Sequence, residues 1–422
     1  MTSESLPLWK ARVPLYAFFA ANLISFVGDR LTLLAIPWFV LQTTGSVAKT
    51  GITAFFTTLP SIISAFFSGP LVDRLGYKRT SVIGDIASGV SVALIPLLTH
   101  TIGLSFWQLL VLVFLGGLLK APGETARASL LPDLVKDTKL PLERVNAIGD
   151  GMSRVSGLLG VPLAAVLIVL IGASNLLWFD AVSFFISALL IGLIVPASTV
   201  RKSIEGIERE EKQSLGSVLD GLRFILHNRL LLAMISTTMI TNLLDNALFS
   251  VALPVYARQI WGNVLPIGLL SGVFGGCAFL STVLFGIFGH RLPRRMTFAL
   301  CFIAIGIRFW GLALRLPIPA LVVLYAFNGL AVGPINPIGM TVEQEVTPVK
   351  MRARVFGAAA AGYLAGIPLG GLVGGYLING IGLLPALFAM AACYLLVTSS
   401  LLINPALKDM RRGQIAAVKS PE

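Results

Sequence analysis

The chain has 422 residues, 56% of them hydrophobic and 12% charged, with a mean hydropathy of +0.86. A soluble domain carries roughly 25% charged residues, so an aqueous globule is excluded and lipid must be the solvent for most of the surface. The net charge of +12 is no sign of a nucleic-acid partner, because its placement follows the loops of a membrane protein.

Taken in chain order, twelve apolar stretches can each span the ~30 Å hydrocarbon layer, which takes about 20 residues. They lie near 14–41, 49–71, 79–100, 105–126, 148–171, 173–196, 228–257, 263–288, 296–316, 318–341, 353–379 and 382–404. Gly and Pro occur inside them, as membrane helices tolerate, and barrel-strand alternation is absent. The first stretch is too long for a cleaved signal, and Asp29 and Arg30 interrupt its centre. Lys and Arg collect before span one and after spans two, four, six, eight, ten and twelve, while the other loops hold little beyond Lys49, Arg258 and Arg315. This positive-inside pattern predicts a multi-pass protein of the inner membrane with both termini cytoplasmic. Phospholipid is the expected partner of the basic loops.

The loop over 197–227 is the one long charged connection. Leu215, Val218, Leu219, Leu222 and Ile225 recur at helical spacing, which predicts a short amphipathic helix on the cytoplasmic surface. It divides the chain into six-span bundles over 1–196 and 228–422. The halves resemble each other. Asp29 and Asp245 are 216 residues apart, and Pro37 and Pro254 are 217 apart. GPLVDRLGYKR from Gly69 is echoed by GIFGHRLPRR from Gly286, again at 217. Landmarks in one order at nearly one offset imply a duplicated unit, an architecture that secondary transporters use with a binding site where the repeats meet.

Small residues recur every fourth position at Gly362, Gly366, Gly370 and Gly374 in span eleven, with shorter stripes in spans two, five and eight. Such stripes let helix backbones approach closely. Ordinary static packing explains any one of them. Their equivalent places in the two halves favour a sliding contact between halves. Cys277, Cys301 and Cys393 lie inside spans without CxxC spacing, so neither a disulfide framework nor a metal site is expected. No lysine follows a glycine and no HExxH occurs, so ATP-driven pumping, a zinc-protease site and a resident cofactor are not expected. No nucleophile–base pair suggests an enzyme.

GPLVDRLGYKR resembles the signature between the second and third helices of the major facilitator superfamily, Gly-x-Leu-x-Asp-Arg-x-Gly-x-Lys. The resemblance covers the whole chain and implies an all-α fold of twelve transmembrane helices in two pseudo-symmetric six-helix bundles. It implies that Gly69 lets spans two and eleven approach and that Gly76 permits the tight turn. Asp73 would sit near the N-terminus of span eleven, where a carboxylate gains roughly 0.3–1 kcal/mol. Arg74, Lys78 and Arg79 would hold the loop at the inner face. The second copy has His290 in place of the acid and Pro293 in place of the glycine, so it lacks an equivalent latch. GDRLTLLAIPWFVLQTTGS, ARASLLPDLV at 126–135 and RVFGAAAAG at 354–362 are similar to the macrolide-efflux and enterobactin-exporter branch. GLLGVPLAA at 157–165 is similar to the glycine-proline motif of antiporters, without a full match. The arginine that many antiporters carry midway along helix four is missing from VLVFLGG. Arg127, nearer the inner end, is expected to pair with Asp73.

In this fold spans one, four, seven and ten line the central cavity and spans three, six, nine and twelve are more peripheral. Asp29 and Asp245 are then matched acids on cavity spans. A charge at the bilayer centre costs at least ~2.5–3.5 kcal/mol, so it faces water or a partner. Dry surroundings favour a neutral carboxyl, which is what proton coupling uses. The alternative for Asp29 is a fixed pair, with Arg30 steering it. Glu124 is either a proton acceptor or, by preference, a partner of Lys120 or Arg127. Asp150 and Arg154, four apart, suggest a local pair. Asp85, Asp180 and Arg308 lie on peripheral spans, where structural roles are expected. Asn22, Arg30, Trp38, Asn242, Phe249, Asn328 and Asn336 are candidates for the cavity wall, each also explicable as packing. Span ten, with Gly333, Pro334, Pro337 and Gly339, is the expected bending helix. The expected activity is secondary active export of a small amphipathic compound, such as a drug, macrolide or siderophore, by a monomer in exchange for protons. A lipid or lysophospholipid carrier and a non-transporting receptor are the alternatives.

Overall fold

The structure is a computed structural model that describes residues 8–136, 138, 140–196 and 215–410. Hydrocarbon offers the backbone no hydrogen-bond partner, so an apolar chain closes its bonds within helices. Spans one to six form α1 (Leu8–Thr44), α2 (Val47–Leu75), α3 (Tyr77–His100), α4 (Phe106–Val135), α5 (Leu142–Ile171) and α6 (Ala173–Ile194). The linker contributes α7 (Leu215–His227). Span seven is α8 (Arg229–Ala247), a π-helical turn over Leu248–Ala252, α9 (Leu253–Tyr256) and a second π-helical turn over Ala257–Trp261. Pro254 lies between the two turns and cannot donate to the ladder, and π-turns absorb such a defect. α10 (Leu265–Phe288), α11 (Arg294–Ala313), α12 (Ile318–Val332), α13 (Ile335–Val346), α14 (Arg352–Ile381) and α15 (Leu383–Ile403) complete the chain. Eleven helical stretches among the described residues are long and apolar enough to cross a membrane. The remaining expected span, 49–71, lies on α2, which has 29 residues. The chain is a multi-pass membrane protein.

The ends of the repeats match in backbone detail. Gly172 joins α5 to α6 with φ +84°, and Gly382 joins α14 to α15 with φ +87°. Each N–H closes the preceding helix, on Ile168 O and Ile378 O, both at 2.9 Å. A single residue at positive φ makes each corner, and glycine is the residue that adopts it without strain. Gly76, at φ +82°, turns α2 into α3 as the signature implies.

By contact the chain forms two units. Unit 1 holds the described residues of Met1–Gly45, Thr53–Arg209 and Asn263–Gly268. Unit 2 holds those of Ser46–Ile52, Glu210–Gly262 and Leu269–Glu422. Within unit 2 the first turns of α2 touch α14, and a Cβ on Gly51 would overlap the Gly371 carbonyl. Within unit 1 the start of α10 touches α5, and a Cβ on Gly268 would lie 2.6 Å from Ala165 Cβ.

One expectation is corrected. The stripe Gly362, Gly366, Gly370 and Gly374 faces α8 of its own unit. Side chains there would overlap Ile235 and the carbonyls of Met239 and Leu243, and would press on Ala247. Asn242 Nδ2 donates to Tyr363 O at 2.9 Å and Asn246 Nδ2 to Ile367 O at 2.6 Å across the same seam. The stripe packs α14 on α8 of the same unit, where a contact between halves was expected. α7 is helical as expected and packs within unit 2. Ile225 is buried with Leu231, Ile235, Val355, Ala358 and Ala359. Gly221 lies against the Arg354 carbonyl, and Arg354 Nη1 is 3.3 Å from Asp220 Oδ2.

Candidate functional site

In unit 1, four helices turn polar stripes toward one another. Ser81, Asp85 and Ser88 share a face of α3, Lys120, Glu124 and Arg127 a face of α4, and Asp180, Ser183 and Ser187 a face of α6. α1 adds Asn22, Asp29 and Thr32. Two layers result. In the first, Arg127 and Asp85 form an ion pair, both more than nine-tenths buried. Arg127 Nε donates to Ser81 Oγ at 3.0 Å, Nη1 to Asn22 Oδ1 at 3.0 Å and Nη2 to Ser187 Oγ at 3.0 Å. Ser187 Oγ donates in turn to Asp85 Oδ2 at 2.8 Å. A satisfied buried network of this kind holds helices in one arrangement. Arg127 therefore pairs with Asp85 rather than with Asp73, as had been expected. The burial of Asp85 decides this: its charge needs a cation more than the exposed Asp73 does.

In the second layer Lys120 Nζ lies 2.6 Å from Asp29 Oδ1 and 3.7 Å from Glu124 Oε1. Asp29 is thus met by Lys120 rather than by its neighbour Arg30. Asp180 is 1% exposed and accepts hydroxyl hydrogen bonds from Thr32 and Ser183. These side chains border two cavities of unit 1. A cavity of about 200 Å³ is walled by Asp29, Thr32, Lys120, Glu124, Asp180 and Phe184, among others. A larger one, of about 850 Å³, is walled by Phe18, Phe19, Phe26, Leu33 and Leu131, with Asn22, Asp29, Arg30, Lys120, Glu124 and Asp150. It combines aromatic surface with charges of both signs. Arg30 packs on α5 at Gly160, where any side chain would overlap its Cβ.

In unit 2 Asp245 pairs with Arg308 of α11. The guanidinium carbon lies 5.7 Å from the Phe274 ring centre and 5.6 Å from that of Phe309. Asn328 is fully buried and donates to Ala304 O at 3.2 Å. Asn242 is spent on the α8–α14 seam, Trp38 is buried, Phe249 is half-buried and Asn336 is exposed. Asp73, Arg74, Gly76 and Arg79 are exposed and Lys78 half-buried, and Gly69 lies within α2. Tyr363 Oη donates to the buried Glu343, a pair absent from the expectations. Span ten breaks at Gly333 and Pro334, where bending was expected.

Lys120 escaped notice as the partner of Asp29, and Asp180 as a second acid on the same cavity wall. The helical spacing of the polar residues on spans three, four and six carried the signal, since no lipid-facing stripe would hold acid, base and hydroxyl three and four residues apart.

The family model of the Major Facilitator Superfamily matches residues 18–259 and 235–417. The multidrug efflux pump Tap of Mycobacterium tuberculosis (strain ATCC 25618 / H37Rv) is 30% identical, covering 97% of this chain and 98% of its own. Macrolide efflux protein A of Streptococcus pyogenes is 19% identical, covering 89% and 91%. Among solved structures, the nucleoside transporter NupG superposes with a TM-score of 0.74 at 14% identity, covering 92% of this chain and 98% of that one. A D-xylose-proton symporter superposes with a TM-score of 0.69 at 12% identity, covering 93% and 98%.

Proposed function

We propose that this chain, which belongs to the major facilitator superfamily, is a secondary active exporter of amphipathic organic compounds coupled to protons. The observation that carries the reading is the unit 1 cavity of about 850 Å³, with its three phenylalanines beside Asp29, Arg30, Lys120 and Glu124. Phenylalanine faces give sequence-tolerant apolar contact, and mixed charges meet the polar groups of varied substrates. Whole-length similarity to a multidrug efflux pump and to a macrolide efflux protein supports the substrate class. The alternation of basic loops supports an inner-membrane location with cytoplasmic termini. Asp29 is the favoured coupling acid, because it borders both cavities and its partner is a lysine, a compact charge on a flexible stem. The Gly69–Arg79 motif is assigned the inner gate, with Asp73 as its latch.

The test uses inverted membrane vesicles with an imposed pH gradient, acid inside, and ethidium and erythromycin as probes. Uptake that collapses with the gradient is expected. Gradient-independent behaviour identical to vesicles lacking the protein, for both probes, would overturn the reading, and transfer of lysophospholipid alone would favour a lipid carrier.

A further inference from the structure

The small cavity of unit 1 holds more carboxylates than cations. Asp29, Glu124 and Asp180 line it with Lys120 as its one basic residue. Lys120 sits on Asp29, with Glu124 further off. The Glu124 side chain is 53% exposed and also borders the larger cavity, so water screens it. Asp180 has no such relief. It is 1% exposed, and both oxygens meet only hydroxyls: Thr32 Oγ1 donates to Oδ2, and Ser183 Oγ lies 3.3 Å from Oδ1. A side chain at Gly28 would overlap Oδ1, so the α1 backbone closes over the carboxyl.

The other charged groups on the helices around α6 are committed elsewhere. On α3, Asp85 is paired with Arg127 of α4, and His100 Nε2 contacts Asn175 and Ser174 at the start of α6. On α1, Arg30 lines the larger cavity against Gly160. α5 carries no charged residue from Ser156 to Ile171. Among the described residues no basic side chain lies within ion-pair distance of Asp180. A buried carboxylate without a cation is far costlier charged than neutral, and the Lys120 ammonium lies on Asp29 and toward Glu124, outside ion-pair distance of Asp180.

We propose that Asp180 is a proton-carrying residue of unit 1, loaded while Lys120 holds Asp29 and unloaded when Lys120 moves to Asp180. In the loaded state the proton is on Asp180 and the ammonium is on Asp29. When the ammonium crosses, the Asp180 O–H bond breaks and the proton passes to water in the cavity, leaving a carboxylate paired with Lys120. Asp29, which borders the larger cavity, is then hydrated there. The reverse movement returns Lys120 to Asp29, and Asp180 takes a proton from water. Lysine suits this exchange, being a compact charge on a flexible stem, where a guanidinium is bound by its planar geometry. The use of that proton in transport rests on the exporter reading. Its place on Asp180 does not.

The test reads the proton directly. The protein is reconstituted in phosphatidylcholine nanodiscs without substrate, and infrared difference spectra are recorded as the pH is raised. A carboxylic C=O band that is lost on alkalinisation is expected in the wild type, should be weakened in Asp29→Asn, where the freed Lys120 can pair with Asp180, and should be missing in Asp180→Asn. Persistence of the full band in Asp180→Asn overturns the proposal. Should Asp180→Asn fail to reconstitute, Lys120→Gln decides: loss of the one cation should add a second carboxylic band, and an unchanged spectrum overturns the charge count. A protein that shows the Asp180 band but moves neither ethidium nor erythromycin refutes the exporter reading alone. Gradient-driven export in a protein lacking the band refutes this proposal alone.

Discussion

In unit 1 the carboxylate of Asp29 meets a lysine in a cavity that holds two further acids. In unit 2 the repeat-related Asp245 meets an arginine flanked by Phe274 and Phe309. The two acids stand 216 residues apart in matching places of a duplicated sequence, yet their partners come from different helices, α4 in one unit and α11 in the other. An ammonium on a flexible stem can change partners, whereas a guanidinium held by a carboxylate and two ring faces is fixed in geometry and always charged. The two repeat-related acids thus have unlike partners, a lysine suited to the proposed exchange in one unit and an arginine suited to anchoring in the other. Unit 1 keeps both kinds of pair, since Arg127 and Asp85 form a fixed network beside the lysine.

The sharpest way to break this division is to remove an anchoring cation. Arg127→Met should strand the buried Asp85 and cost about 3–5 kcal/mol, read as a large fall in melting temperature in detergent. The double variant Arg127→Met/Asp85→Leu should recover most of it, and a stable single variant would refute the anchoring role. Next in size is the α8–α14 seam of unit 2. Gly370→Leu should cost at least about 1–3 kcal/mol by overpacking, lowering the yield of folded protein, while the exposed Val373→Leu should not. A folded but transport-locked Gly370→Leu would reinstate a moving contact there.

The two carboxylates themselves sharpen the comparison. Asp29→Asn should lower gradient-driven efflux by roughly tenfold or more with less effect on ethidium binding. Asp245→Asn should instead lower thermal stability and leave the gradient dependence in place. Equal gradient defects from both would erase the asymmetry. A smaller effect is expected at the signature: Asp73→Asn should shift spin-label distances at that face of the molecule, and His290→Asn should shift them much less. The smallest belongs to the exposed Asp220–Arg354 pair that helps dock α7, where Asp220→Asn should change stability by about 0–1 kcal/mol.

The fold was legible because lipid imposes it. A stretch of twenty apolar residues has one way to satisfy its backbone, and a repeated offset shows that six such helices recur. Positions of single charges were legible as well, since Asp29 and Asp245 stand out against their surroundings. Their partners were not. Lys120 is about ninety positions from Asp29, and nothing in a one-dimensional pattern says which faces of two helices will meet. The same limit governed the span eleven glycines. Their spacing announces a close neighbour, and α8 and any other helix offering a smooth face would produce the same stripe. Arg127 was placed with the wrong acid because exposure, which decides how much a charge needs its partner, is a property of the assembled bundle.

The break in span ten has an owner outside the helix. Pro334 has no N–H, so the carbonyl of Leu330, one turn earlier, loses its donor. Ser281 of α10 supplies the missing hydrogen through its hydroxyl, and Gly333 leaves the room for that side chain to approach. The joint between α12 and α13 is thus mended by a neighbour. Were α10 to slide by more than the reach of one hydroxyl, a bare carbonyl would be left in hydrocarbon. The three segments are therefore geared together: whatever tilts α10 must carry the joint of span ten with it.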